Sequence, residues 1–349
     1  MLLALSKPNA RRHVPINEVT AALPALSPKF IDAVTLRIGS GSLEAAALAN
    51  GLLSSQASIQ PKYFYNALGS KLFEAITQLD EYYPTRTEAG IFEANYSSIA
   101  RAIKDSGVRD ACLIDLGAGN CAKSAALIPH LAPNQYVPID ISVEFLREAA
   151  ARVQTSFPAL DIVGVGMDFS SKLELPDAVQ KHDRVFFYPG SSLGNFSPIE
   201  ALAFLQQLTD AAQGNASGLL LGIDLVKDAE TLQAAYDDAL GVTGAFNKNA
   251  LLNINDVLQS NFDVRQWAHV GLFNAQESRI EMHLEATCDV TVRWPGNERR
   301  FAKGERIHTE SSYKYTLEGI TALLKNAGFS RVQHWTDPKS WFAVLWASK

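Results

Sequence analysis

Between Ala111 and Asp224 the sequence alternates short, largely apolar runs with stretches of helical spacing, and no other feature restricts the fold as much. An apolar run of strand length followed by a helix-period segment is the pattern of a strand covered on both faces by crossover helices, and therefore of a parallel sheet. ACLIDLGAGN from Ala111 reads as a first strand with its Gly-rich turn, and SAALIPHL as the helix that follows. QYVPIDIS from Gln135 is a second strand, VEFLREAAARVQTSF a helix, DIVGVGMDF from Asp161 a third strand and RVFFYPGSSLGNF from Arg184 a fourth. The next helix has three start signals: Ser197 as N-cap, Pro198 at the first helical position and Glu200 to complete a capping box. GLLLGIDL from Gly218 makes the fifth strand.

After this strand the rhythm breaks. AYDDALGVTGAFNKNALLNINDVL reads as helical, and the period-two segment IEMHLEATCDVTVRW reads as antiparallel strands. The earlier pattern returns in TLEGITALLKNAGF, a helix, followed by SRVQHWTD and SWFAVLWAS as a terminal antiparallel pair. Five parallel strands completed by such a hairpin predict an α/β, Rossmann-like fold of the S-adenosylmethionine-dependent methyltransferase type, in preference to that of nicotinamide dehydrogenases. Residues 228–313 are then an insertion before the last strands.

Composition narrows the partners. The 31 Lys and Arg against 37 Asp and Glu give a net charge of −6 without a long basic run, so no nucleic-acid partner is expected. The longest apolar stretches fall far short of the ~20 residues that span a bilayer, and MLLALSKPNARRHV lacks the order of a signal peptide, so no membrane partner is expected either. Cys112, Cys121 and Cys288 are odd in number and without CxxC spacing, which fits a reducing, cytoplasmic setting. The 7 histidines show no ligand spacing, and no metal is expected.

Gly117 and Gly119 follow a strand and open a helix, where glycine lets backbone N–H groups approach a ligand. GAGNCA also satisfies the G-x-G-x-x-A dinucleotide pattern, with Asp140 placed 21 residues after Gly119 to grip ribose hydroxyls, so the motif admits a nicotinamide cofactor as well. Asp168 and Phe169 at the third strand tip suit an adenine amino group and base face, and Lys123 suits a methionyl carboxylate; both favour S-adenosylmethionine. The bland alternative is a structural turn with solvated carboxylates.

Longer strings coincide with one family. PKYFYNALGSKLFEAITQLDEYYPTRTEAGI from Pro61, LIDLGAGNCAKS, YVPIDIS, SSLGNFSP, LLLGIDLVKDAETLQAAYDDALGVTGAFNKN, RIEMHLEA, HTESSYKY and HWTD together resemble the histidine N-alpha-methyltransferases of ergothioneine biosynthesis, from about Pro61 to the C-terminus. The resemblance implies a class I methyltransferase core of residues 87–227 and 314–349. It also implies a second, substrate-binding α+β domain of residues 20–86 and 228–313, with 1–19 flexible. Gly117, Gly119, Lys123, Asp140, Asp168 and Phe169 match the adenosylmethionine site, and Tyr65, Tyr82, Asn195, Tyr236, Met282, Glu310 and Ser312 the pocket for L-histidine, in a chain expected to act as a monomer. The sequence departs from the family pattern at the turn: Asp115 stands where a glutamate is more usual, and Cys121 and Ala122 where polar residues are. These positions belong to the cofactor side.

Asn195 and Tyr236 can donate to a substrate carboxylate. Asn195 is also the kind of residue that fills a left-handed turn position. Glu310 and Ser312, two apart in a period-two segment, point to one face and can bracket an imidazole. Met282 serves equally as pocket wall or core filler. Tyr65, the candidate catalytic residue, and Tyr82 can border the amine. The expected reaction is methyl transfer to the α-amino group of histidine, three times. Another aromatic amino acid or a thiolated histidine as acceptor, an NAD-dependent oxidoreductase and an inactive adenosylmethionine sensor are the competing readings.

Overall fold

The computed structural model describes residues 26–32, 40–170, 172–212 and 216–349; the segment 1–19 lies outside the described residues. In chain order the elements are β1 (Lys29–Asp32), α1 (Ser40–Leu53), α2 (Ala67–Ile76), α3 (Tyr83–Asp105), β2 (Cys112–Leu116), α4 (Ala122–Leu131), β3 (Gln135–Asp140), α5 (Val143–Ser156), β4 (Asp161–Gly166), β5 (Arg184–Tyr188), α6 (Pro198–Ala211) and β6 (Gly218–Asp224). They continue with α7 (Ala229–Ala234), α8 (Val242–Leu258), β7 (Trp267–Asn274), β8 (Arg279–Ala286), β9 (Val290–Trp294), β10 (Asn297–Phe301), β11 (Arg306–Tyr313), α9 (Leu317–Asn326), β12 (Arg331–Thr336) and β13 (Phe342–Ser348).

The main sheet has the strand order β1-β4-β3-β2-β5-β6-β13-β12. Its strands β1 to β6 pair in parallel, and β13 and β12 add the antiparallel end that the terminal hairpin predicted. This is a Rossmann-like α/β fold. Side-chain alternation divides its apolar residues between two cores. Ile114, Val137, Val165, Phe186 and Leu221 face α6 and α9, whereas Leu113, Tyr136, Ile162, Phe187 and Leu220 face α3, α4 and α5. The capping box of α6 forms as expected, with Ser197 Oγ accepting from Glu200 N and the Glu200 carboxylate accepting from Ser197 N.

A third core joins α1, α2 and α8 to β8, with Leu52, Phe64, Phe246, Trp267, Met282 and Leu284 among its buried side chains. Here β11, β8 and β7 form a three-stranded antiparallel sheet, and β9 and β10 a separate hairpin. One expectation needs correction. Residues 20–86 do not all belong beside the insertion, because Lys29–Asp32 pairs in parallel with Val163–Gly166 and extends the main sheet by one strand. A four-residue strand whose partner lies more than 130 residues away carries no local signal, yet it satisfies the otherwise open edge of β4. Among the described residues no helix is long and apolar enough to cross a membrane.

Candidate active site

The carboxyl ends of β2, β3 and β4 form the first half of the site, the place where open α/β sheets take ligands. The turn after β2 places Gly117 at φ 72° and Gly119 at φ 52°, both in the left-handed region that glycine enters without strain. Gly119 N donates to Asp140 Oδ2 at 2.9 Å and Ser142 N to Asp140 Oδ1 at 2.8 Å, which clamps this carboxylate between the turn and α5. Burial raises the Asp140 carboxyl above its ordinary range, against the pull of those two backbone donors. Phe169 stands over the turn, its Cζ 3.8 Å from where a Cβ on Gly117 would lie. Asp168 pairs with Lys62 Nζ at 3.4 Å. A turn with two glycines, flanked by a fixed carboxylate and an aromatic ring, fits an adenosyl group.

Lys123, in the first turn of α4, bonds Glu88 Oε2 at 2.5 Å, and Glu88 Oε1 accepts from Gly190 N at 2.8 Å. Glu88 is only 1% exposed, and sequence reasoning did not single it out. It is an acid inside an amphipathic helix, indistinguishable by pattern from a solvated one such as Glu93. It ties the lysine of the cofactor side to the turn that borders the substrate side.

Two of the three departures at the Gly-rich turn, Asp115 and Cys121, prove to lie beneath it, whereas Ala122 is exposed. Asp115 and Cys121 are 2% and 1% exposed. Tyr136 OH donates to Asp115 Oδ2 at 2.9 Å, and Ser124 Oγ lies 2.6 Å from Tyr136 OH. Burial pushes the Asp115 carboxyl up to about 6, opposed by its bonds to Ser124 and Tyr136. Both side chains turn inward, so they support the turn from below and do not present themselves to a ligand.

The second half of the site is a cavity whose lining includes Tyr65, Tyr82, Asn195, Tyr236, Met282, Glu310 and Ser312, all seven of the expected substrate residues. They come from distant parts of the chain. Tyr65 ends the turn Pro61–Phe64, Tyr82 precedes α3, Asn195 closes the turn Ser192–Asn195 after β5, Tyr236 follows α7, and Met282, Glu310 and Ser312 lie on β8 and β11. Two details of backbone bring them together. A Cβ on Gly194 would lie 2.8 Å from Tyr313 O, so glycine there lets β11 press against the turn that carries Asn195. A register shift between His308 and Glu310 sets Glu310 directly across from Met282. The left-handed residues of this turn are Gly190 and Ser191, which frees Asn195 from the purely conformational role it was also suited to. Met282 both lines the cavity and belongs to the third core, being 2% exposed.

One wall is aromatic. Tyr65 and Phe246 meet edge to face at 5.6 Å, Tyr65 and Phe73 at 5.9 Å, Phe73 and Tyr82 at 6.1 Å, and Tyr82 and Tyr236 at 6.2 Å. Phe73, Thr243 and Phe246 were missed by sequence reasoning, since an apolar or hydroxyl residue at a helix-core position reads as packing. The lining also carries charge. Burial pushes the Glu310 carboxyl up to about 7 against the pull of Lys314, and among the described residues no hydrogen bond reaches that carboxylate. Burial, and then Glu310, raise the Tyr65 phenol well above its ordinary range; burial does the same to Tyr82. Both phenols stay protonated near neutrality. Tyr236 is held at its carbonyl, which accepts from His269 Nε2 at 2.8 Å, and at its hydroxyl, 2.8 Å from Ser312 Oγ.

Comparison with known proteins points to one family. Residues 44–349 match the family described as histidine-specific methyltransferase, SAM-dependent. A histidine N-alpha-methyltransferase of Mycolicibacterium smegmatis is 39% identical over 301 residues, spanning 84% of this chain and 91% of the relative. The protein of the same name from Mycobacterium tuberculosis is 38% identical over 307 residues, 86% and 93% of the two chains. Ergothioneine biosynthesis protein 1 of Neurospora crassa is 30% identical over 281 residues, which span 78% of this chain and 31% of that longer one.

Proposed function

The chain belongs to the histidine-specific, S-adenosylmethionine-dependent methyltransferases, and from that membership we propose that it methylates the α-amino group of L-histidine three times, giving N-alpha-trimethylhistidine (hercynine) for ergothioneine biosynthesis. The observation that carries the reading is the cavity itself, where an unbonded buried carboxylate, several hydroxyls, an amide and an aromatic wall converge, and which Gly190 and Glu88 tie to Lys123 on the side of the Gly-rich turn. The nicotinamide alternative that the G-x-G-x-x-A spacing left open has no counterpart in this membership.

S-adenosylmethionine supplies an electrophilic methyl group on a sulfonium. Gly117, Gly119, Asp140, Asp168 and Phe169 would hold its adenosyl part and Lys123 its carboxylate. Asn195 and Tyr236 anchor the substrate carboxylate, while Glu310 and Ser312 recognise the imidazole. A site that pairs a polar substrate group rejects analogues lacking it, because its own buried groups would be left unsatisfied. Tyr65 and Tyr82, protonated near neutrality, orient the amine through their hydroxyls and serve as hydrogen-bond partners, not as free bases. The neutral amine is the attacking form, and a neighbouring positive charge favours it by depressing the ammonium pKa. Holding the reactants in near-attack geometry can supply several kcal/mol, up to ~7 to 11 in favourable cases. The rings of Tyr65, Phe73, Tyr82 and Phe246 accommodate the methylated cation. Anchoring at carboxylate and imidazole leaves the amine free to turn between transfers; before each one the nitrogen would give up a proton to water, and its lone pair would then take the methyl as the sulfonium departs as a neutral thioether, which supports successive methylation of one substrate.

The free cysteines, two buried and one exposed, support a reducing compartment such as the cytoplasm. Incubation of the protein with histidine and S-adenosylmethionine, followed by mass, tests the reading: the expected product has gained three methyl groups, and absence of any methylated histidine overturns it.

A further inference from the structure

Behind the substrate cavity lies a fully buried ionic network. Lys314 follows β11 and is two residues beyond Ser312 and four beyond Glu310, so strand alternation brings the three side chains to one face. Its ammonium has three protons and three partners: Asp224 Oδ2 at 2.8 Å, Ser312 Oγ at 2.8 Å and Tyr236 OH at 3.1 Å. Side chains of both Lys314 and Asp224 are 0% exposed. Asp224 is the last residue of β6 and also accepts from Tyr83 OH at 2.7 Å and Lys227 Nζ at 2.6 Å. The main chain at Lys314 is pinned too, its N donating to Ser278 O at 2.8 Å.

This inference rests on the proposed function and deepens it. We propose that Lys314 is the positioning residue of the substrate pocket: anchored on Asp224 at the end of the main sheet, it fixes the directions of the Tyr236 and Ser312 hydroxyls and places a positive charge behind the Glu310 carboxylate. The argument is one of counting hydrogens. An ammonium only donates, so both hydroxyl oxygens accept from Lys314. Of their two protons one closes the 2.8 Å bond between Tyr236 OH and Ser312 Oγ, and the other is left for the substrate. Without Lys314 the two hydroxyls are free to rotate away. The titratable groups that face Glu310 are Lys314, Tyr65, Tyr82 and Tyr236, and of these only Lys314 carries charge near neutrality. Burial opposes the Lys314 ammonium, but Asp224 and then Tyr236 outweigh it and hold its pKa above the ordinary range. The charge beside Glu310 is therefore permanent, and it favours the ionised carboxylate.

The test compares Lys314→Met with Lys314→Gln, which keeps donors but loses the charge. Wild-type protein is assayed first; if it forms no methylated histidine, the proposed function and this inference fall together. With an active wild type, Lys314→Met is expected to raise KM for histidine about 10- to 100-fold, the effect of losing hydrogen bonds from a charged donor. It is expected to leave the S-adenosylmethionine Kd within about twofold and to move the acidic limb of kcat/KM upward by about a pH unit or more. Lys314→Gln is expected to recover part of KM while the acidic limb stays displaced. Should Lys314→Met fail to fold, the displaced limb of Lys314→Gln decides the matter. Unchanged KM and pH profile in a folded variant, or an equal loss of cofactor and histidine binding, overturns the assignment.

Discussion

Replacing Glu310 by Gln removes one charge from the cavity and almost no volume, and its consequences follow from two facts. Burial places the carboxyl near pH 7, and no other group among the described residues bonds to it. The ionised form is thus lost as pH falls through about 7, and recognition of an imidazole N–H by a charged acceptor should weaken about tenfold for each unit below that point. A hydrogen bond to a charged group contributes about 1.5 to 3 kcal/mol, so Glu310→Gln should lower kcat/KM for histidine by about 10- to 150-fold above neutrality. The ratio of histidine to phenylalanine turnover should fall by a similar factor, since phenylalanine has no ring N–H to lose. Initial rates by mass detection across neutrality, for wild type and variant together, isolate the protein's contribution because titration of free histidine cancels between them. Titration calorimetry with S-adenosylmethionine serves as the control, because β11 does not contribute to the Gly117–Gly119 turn. A variant that keeps wild-type kcat/KM, or that keeps the wild-type acidic limb, would refute the reasoning.

The buried Glu88 gives a second prediction. A Cβ on Gly222 would run into Glu88 Oε1, so Gly222→Ala should displace the carboxylate from Lys123 and Gly190 and weaken S-adenosylmethionine binding about tenfold or more by calorimetry. Gly90→Ala on the same helix as Glu88 meets nothing within 4 Å and should leave binding unchanged; equal effects of the two would remove Glu88 from the account. Asp115 gives a third. Its folded value of about 6 lies above the ordinary 3.8, so the folded state carries a penalty for the ionised form that is absent at low pH, grows as pH rises and is complete above about 6. Asp115→Asn should therefore gain thermal stability near pH 8, by up to about 3 kcal/mol, and gain little near pH 4. A gain of the same size at both pH values would contradict it.

The sequence made the main sheet legible because each of its central strands is a buried run next to a helix, two signals that reinforce each other. The pocket was legible through a family likeness carried by long strings, and Glu310 alone, an acid in a strand, would have read as a surface residue. What stayed hidden shares one physical cause: partners far apart in the chain. Lys314 and Asp224 are 90 positions apart, and each looks like an ordinary surface charge until the fold buries them together. Lys123 and Glu88 are separated by most of α3, a strand and two turns, and the pairing that bridges the two halves of the site depends on both. Phe73 and Phe246 are apolar side chains of helices, where pattern cannot distinguish packing against a core from lining a cavity. Position β1 is the extreme case, four residues whose whole meaning lies in a distant partner.

That strand also decides what stands at the rim of the sheet. By zipping onto Val163–Gly166 it covers the open side of β4 and moves the rim of the sheet onto itself, a strand of 4 residues in place of one of 6. Bare rims invite a neighbouring molecule to add a strand of its own. Four residues near the start of the described chain therefore act as a selvedge, and trimming them would leave the longer β4 rim open to edge-to-edge pairing, even with both halves of the cleft undisturbed.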